Sequence, residues 1–110
     1  MVQVAFDAYV FDGLLPDIVG HDRRPASFLV YLHLYRHASQ KPNWSLRMSH
    51  QSIADATGLS RSTGQGALSH LQRRQLIAST RANPTAVPLH RVLRPWLRLT
   101  RARHAGASSS

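Results

Sequence analysis

The stretch Met48-Ser-His-Gln-Ser-Ile-Ala-Asp-Ala-Thr-Gly-Leu-Ser-Arg-Ser-Thr-Gly-Gln-Gly-Ala-Leu-Ser-His-Leu-Gln-Arg-Arg-Gln-Leu-Ile77 decides how this chain folds. It reads as two short helices joined by a tight turn. Ser49 is a candidate N-cap, because its hydroxyl can accept from an orphan N–H at a helix start. Ile53 and Ala54 form the buried side of a first helix ending at Thr57-Gly58. Gly58 suits the left-handed position that closes a helix. Leu59 plugs the corner and Ser60 is a second N-cap candidate. Ala67, Leu68 and Leu71 then fall on one side of a second helix over 60–75, and Leu76-Ile77 opens a strand.

On the C-terminal side, Asn83 and Pro84 carry turn chemistry between two segments that suit antiparallel strands, so 76–94 reads as a hairpin. Pro88 must lie at an edge or a bulge, since it has no N–H for a ladder. Trp96, Leu97 and Leu99 end the fold against the core, and 101–110 is a small, polar, mobile tail. On the N-terminal side, Trp44, Leu46 and Met48 alternate like a short strand. Pro25 suits the first turn of a helix running to about Ala38. Phe28, Tyr31, Leu32, Tyr35 and Ala38 share one side of it, widened by Val30 and Leu34, with His33, Arg36 and His37 opposite. Residues 2–19 leave two readings open: Phe6, Val10 and Leu14 fit a helix, while Val2, Val4 and Phe6 alternate like a strand. The segment is too apolar for a free tail and must pack on the domain or pair with a second subunit.

The run Ser52-Ile-Ala-Asp-Ala-Thr-Gly-Leu-Ser-Arg-Ser-Thr63, then Ala67-Leu68, Leu71, Arg74 and Leu76-Ile77, resembles the helix-turn-helix of bacterial winged-helix DNA-binding proteins. With the hairpin as wing, the resemblance spans Met48 to about Trp96. It implies an α+β, mostly α fold: a winged helix-turn-helix with a three-helix core and a two-stranded wing. It also implies transcriptional regulation. The sequence departs from the family at Gly64, where Val or Ile is usual, and at Gly66, one turn into the second helix. Gln75 replaces the Gly that commonly ends that helix.

Charge points the same way. Fourteen Lys and Arg stand against five Asp and no Glu, a formal net charge of +9. Asp7, Asp12, Asp17 and Asp22 lie in the first 22 residues, which hold no Lys or Arg; from Arg23 onward there are fourteen Lys and Arg and one acid, Asp55. A basic, arginine-rich domain fits a polyanion. The absence of cysteine removes disulfides, thiolate catalysis and Cys-based zinc sites. No secretory signal or bilayer-length apolar run is present, so the cytosol is the default location. The acids are too dispersed for a catalytic site, with no nucleophile elbow or phosphate loop, so the reading is not an enzyme. His33 and His37 have the spacing of two metal ligands without a third, and read as an exposed pair. No cofactor or metal is expected.

If 60–75 is a recognition helix, its outer arc holds Ser62, Gln65, Gly66, Ser69 and Arg73, with Arg61 at the N-terminal shoulder. Gln65 suits adenine N6/N7, and Arg61 suits guanine O6/N7 or a phosphate. Ser62, Thr63 and Ser69 suit phosphates or mixed edges, Arg73 backbone. Arg81, Arg91 and Arg94 lie on or beside the wing, where arginines grip phosphates or a narrow minor groove. The expected division is an N-terminal arm over 1–24 that contacts a second copy, a DNA-binding domain over 25–99 and a basic tail over 100–110. The partner is double-stranded DNA, bound by a homodimer. Two alternatives keep the same fold: a module that docks an acidic protein, and a replication or mobile-element control protein.

Overall fold

A computed structural model describes residues 1–98 of the chain. Its central helix, α1 (Pro25–Ala38), opens on a proline whose missing N–H would have no helical partner in any case. The apolar stripe of α1 meets the core as its spacing predicts: Val30, Tyr31, Leu34, Tyr35 and Ala38 are almost fully buried. Each large member contributes ~1.5–3 kcal/mol through burial. The two tyrosines keep their polar ends satisfied. The Tyr31 hydroxyl donates to the Leu93 carbonyl at 2.9 Å, and burial pushes its phenol well above the ordinary value. The Tyr35 oxygen accepts from the Asp7 N–H at 3.2 Å.

A short 3-10 turn (Pro42–Trp44) leads into β1 (Ser45–Arg47). Then come α2 (His50–Thr57) and α3 (Arg61–Arg73), followed by β2 (Ile77–Thr80) and β3 (Leu89–Val92). The strands form one antiparallel sheet in the order β1-β3-β2. Ile77 pairs with Val92 and Thr80 with Leu89 in the hairpin, while Ser45 pairs with Arg91 across the other edge of β3. Pro88 sits one residue before β3, so its missing N–H costs no ladder bond. The winged helix-turn-helix is thus present, with β1 added to the wing's base as a third strand.

Within the first 22 residues, 9–21 settle as helix, mostly in the wide π form. Two turns, Val10–Leu14 and Pro16–His21, close through bonds five residues apart, such as Asp22 N–H to the Asp17 carbonyl at 2.9 Å. Val10, Leu14 and Ile18 enter the same core as α1. At Gly13 an added Cβ would collide with the ring of Tyr9, which stacks on Trp96 at 5.1 Å. The arm therefore packs on its own domain. Leu99 and the tail over 100–110 lie outside the described residues.

Candidate nucleic-acid interface

The turn between α2 and α3 is built from local hydrogen bonds. The Ser49 hydroxyl accepts from the Ser52 N–H at 3.0 Å, and Ser60 accepts from the Thr63 N–H at 3.1 Å, so both expected N-caps are made. Gly58 takes φ 76° and its N–H closes on the Ala54 carbonyl at 2.9 Å. Thr57 adds a bond that sequence reading did not identify: its hydroxyl donates to the Ile53 carbonyl at 2.7 Å. Leu59 packs half-buried into the corner.

Ala67, Leu68 and Leu71 of α3 are buried, as their spacing implies, and so is Gly64, whose Cα faces Ile53. The opposite arc is open. Arg61, Ser62, Thr63, Gln65, Ser69 and Arg73 are all exposed. At about 100° per residue Ser62, Gln65, Ser69 and Arg73 fall within one ~80° sector, some 16 Å long. Thr63 receives a 2.8 Å bond from the Ser60 hydroxyl, which leaves its own proton free to donate. Among the described residues, the side chains of Arg61, Gln65, Ser69 and Arg73 enter no hydrogen bond or ion pair within the chain.

Across from this arc stands the wing. Asn83 organises its tip by accepting from the Thr85 N–H and hydroxyl, while the Arg81 guanidinium donates to the Pro84 carbonyl at 3.1 Å. Between helix and wing runs a groove of about 300 Å³, lined by Gln65, Ser69 and Gln72 on one side and Thr80 and Arg81 on the other. None of its lining residues is acidic. Its floor includes His90, which is almost fully buried. The Met48 carbonyl accepts from His90 Nε2 at 3.0 Å, so Nδ1 is the bare nitrogen and accepts from the Ser79 hydroxyl at 2.7 Å. Burial holds His90 below the usual histidine range, against the pull of the Met48 carbonyl. His50 of α2 lines the groove as well; burial first, then the charges of Arg81 and Arg61, hold it low too.

The three expected wing arginines separate. Arg81 is at the tip and Arg91 is exposed in mid-strand on β3. Arg94 lies past the end of β3, its guanidinium 3.5 Å above the Trp44 ring. Arg74 is committed elsewhere. It pairs with Asp17 and, through Nε at 3.1 Å, with Asp22. Asp22 also accepts from His70 Nε2 at 2.9 Å, and His70 Nδ1 meets the Ser27 hydroxyl at the same distance. This chain of partners joins the arm, α1 and the inner side of α3. A hydrogen bond from His21, then those from His70 and the charge of Arg74, hold Asp22 below the usual carboxylate range against the opposing effect of burial. Three of the arm's four acids thus turn toward its own anchoring: Asp17, Asp22 and Asp7, which accepts from the Trp96 indole at 3.1 Å. Asp55 stays exposed and takes a bond from Gln51.

The family model of the Crp-like helix-turn-helix domain matches residues 23–94, about two thirds of the chain. The chain belongs to this family. The Crp-like helix-turn-helix unit therefore begins at α1 and closes after the wing, which makes the protein a winged helix-turn-helix DNA-binding domain of the kind used in transcription regulation. A comparison with curated proteins gives no match. Among solved structures, it is similar to an apo-form mutant of ZitR from Lactococcus lactis, at 22% identity over 96% of this chain and 78% of that one, with a TM-score of 0.45. It is also similar to the PcaV transcriptional regulator from Streptomyces coelicolor in complex with its natural ligand, at 21% identity over 90% and 74%, with a TM-score of 0.47. No described helix is long and apolar enough to cross a membrane.

Proposed function

We propose that the chain binds double-stranded DNA sequence-specifically as a transcriptional regulator, with α3 in the major groove and the wing along neighbouring backbone. The observation that carries this reading is the exposed, internally unengaged arc Arg61, Gln65, Ser69 and Arg73, of which Gln65 and Ser69 face Arg81 across an acid-free groove. Gln65 and Arg61 read base edges, Ser62, Thr63 and Ser69 take phosphates or mixed edges, and Arg73 and Arg81 hold backbone; Arg91 and Arg94 lie outside the groove, at the base of the wing. Two copies on a two-fold site place half-sites about 34 Å apart. The exposed Tyr9, Phe11 and Leu15 of the arm offer the contact between them.

Selection of bound duplexes from a random pool, followed by titration of the selected site, tests the reading. Gln65→Ala should change which sequence is selected, whereas Arg81→Gln should weaken all duplexes alike. Neutralising ~4–6 phosphates gives a log–log salt slope of roughly −4 to −5. A chain that enriches no sequence, or binds duplex with no salt dependence, is not this regulator. Leu15→Glu should halve the mass in solution; an unchanged mass removes the arm as the dimer contact.

A further inference from the structure

A second, larger hollow of about 770 Å³ lies beyond the groove, between the C-terminal end of α3 and the sheet. Trp44, Gln72, Gln75, Arg91, Arg94 and Arg98 line it, and no Asp or Glu does. None of the three arginines ion-pairs with a carboxylate among the described residues. Ile77, Val92 and Leu97 add apolar lining, and the volume falls in the range of small-molecule sites.

We infer that this hollow binds a small planar carboxylate, gripped by Arg94 with Arg91 and Arg98 beside it. Arg94 is half-buried and its guanidinium lies 3.5 Å over the centre of the Trp44 ring. Stacking on Trp44 covers one flat face of the guanidinium and restricts its orientation, leaving the N–H edge to donate two parallel bonds. A carboxylate or a phosphate has the matching geometry, and the apolar lining of Ile77, Val92 and Leu97 suits a carboxylate carried on a flat apolar ring. The platform is itself held in place, since the Trp44 ring stands edge-on to Tyr35 at 4.9 Å, and Tyr35 stacks on Phe6 at 4.7 Å. Asn43 and Trp44 reach this arrangement with φ of 60° and 54°. Two consecutive left-handed residues, one of them bulky, are an outlier that the surroundings must impose, and such outliers gather at ligand clamps.

The hollow is distinct from the DNA-facing groove. Gln75 of the hollow follows the C-terminal end of α3, ten positions beyond Gln65 of the groove. Yet Gln72 and Ser79 border both spaces, so a ligand here touches the two elements whose spacing defines the groove. A bound anion then alters duplex affinity; that regulatory half rests on the DNA-binding reading, while the binding itself does not.

Calorimetric titration of the full chain with sodium benzoate, at fixed ionic strength and with acetate and inorganic phosphate in parallel, is the test. Benzoate should bind saturably at one site per chain, and acetate at least tenfold more weakly. Arg94→Gln and Arg94→Lys should each weaken benzoate at least tenfold with unchanged circular dichroism, while Arg81→Gln should leave it as it was. Absence of saturable heat overturns the site, and so does wild-type benzoate binding by Arg94→Gln. If phosphate binds as well as benzoate and Arg94→Gln costs only duplex affinity, the hollow is a DNA-backbone seat and the proposal fails. If benzoate binds while no duplex does, the anion site stands and the DNA reading falls.

Discussion

His70 points inward from α3, where its two ring nitrogens join Ser27 and Asp22. Cutting it to alanine leaves a buried hydroxyl and a carboxylate short of a partner, at a cost of ~1–3 kcal/mol. His70→Ala should lower the melting temperature by roughly 4–20 °C for a domain of this size; an unchanged melting curve would show that the network contributes nothing. No sequence signal marks these partners, which stand 43 and 48 positions away from His70. The caps at Ser49 and Ser60 and the left-handed Gly58 were legible because each bond closes within four residues. The same locality explains Gln75. It occupies the left-handed C′ position with φ 57°, and Leu76 N–H reaches the Leu71 carbonyl at 2.9 Å, so a non-glycine makes the turn that the family usually gives to Gly.

At the scale of an element, α3 carries two interior glycines with different surroundings. An added Cβ at Gly64 would find only Ile53 Cγ2 at 4.0 Å, an ordinary contact, whereas Gly66 faces open space on the exposed arc proposed to meet DNA. Gly64→Ala and Gly66→Ala should therefore each stabilise the domain by ~0.5–1 kcal/mol in thermal unfolding. Duplex affinity separates them. Gly66→Ala should bind its site more weakly, because the methyl stands where the helix approaches DNA, while Gly64→Ala should bind as before. Equal affinities would remove close approach as the role of Gly66. The arm is the element that sequence could not resolve. Its apolar residues fit two periods at once, and the choice fell to tertiary burial of Val10, Leu14 and Ile18. Helix α1 and the wing hairpin were plain from pattern, but the pairing of β1 with β3 is non-local and left no mark in either strand.

For the whole molecule, proton binding sets a direction. Burial holds His33, His37, His50 and His90 below the ordinary histidine value, so the unfolded chain binds more protons there than the folded one. Their contribution is complete above about pH 6.5 and declines as the pH falls through that value. Asp22 acts lower down: its depressed folded pKa stabilises above about pH 4, and that stability is lost as the pH falls toward the folded value. Urea midpoints from pH 8 to 3 should fall in both windows, with the lower step reduced in Asp22→Asn; a midpoint unchanged between pH 8 and 5 excludes the histidine part. For the same reason, any gain in duplex affinity from His50 should arise below pH 6.5 rather than at it. The exposed arc of α3 was readable from helix geometry, because exposure on a helix follows from its buried positions. The commitment of Arg74 to the arm was not, since an arginine beside that arc looks the same in sequence whether it is paired or free.

Arg74 closes α3 and at the same time grasps two aspartates near the start of the chain. Helix α3 and the opening residues are therefore tied together. On the proposed dimer, a second copy docked on those residues would act on α3 through these ties, so that the angle between two copies would bear on the angle between their two α3 helices.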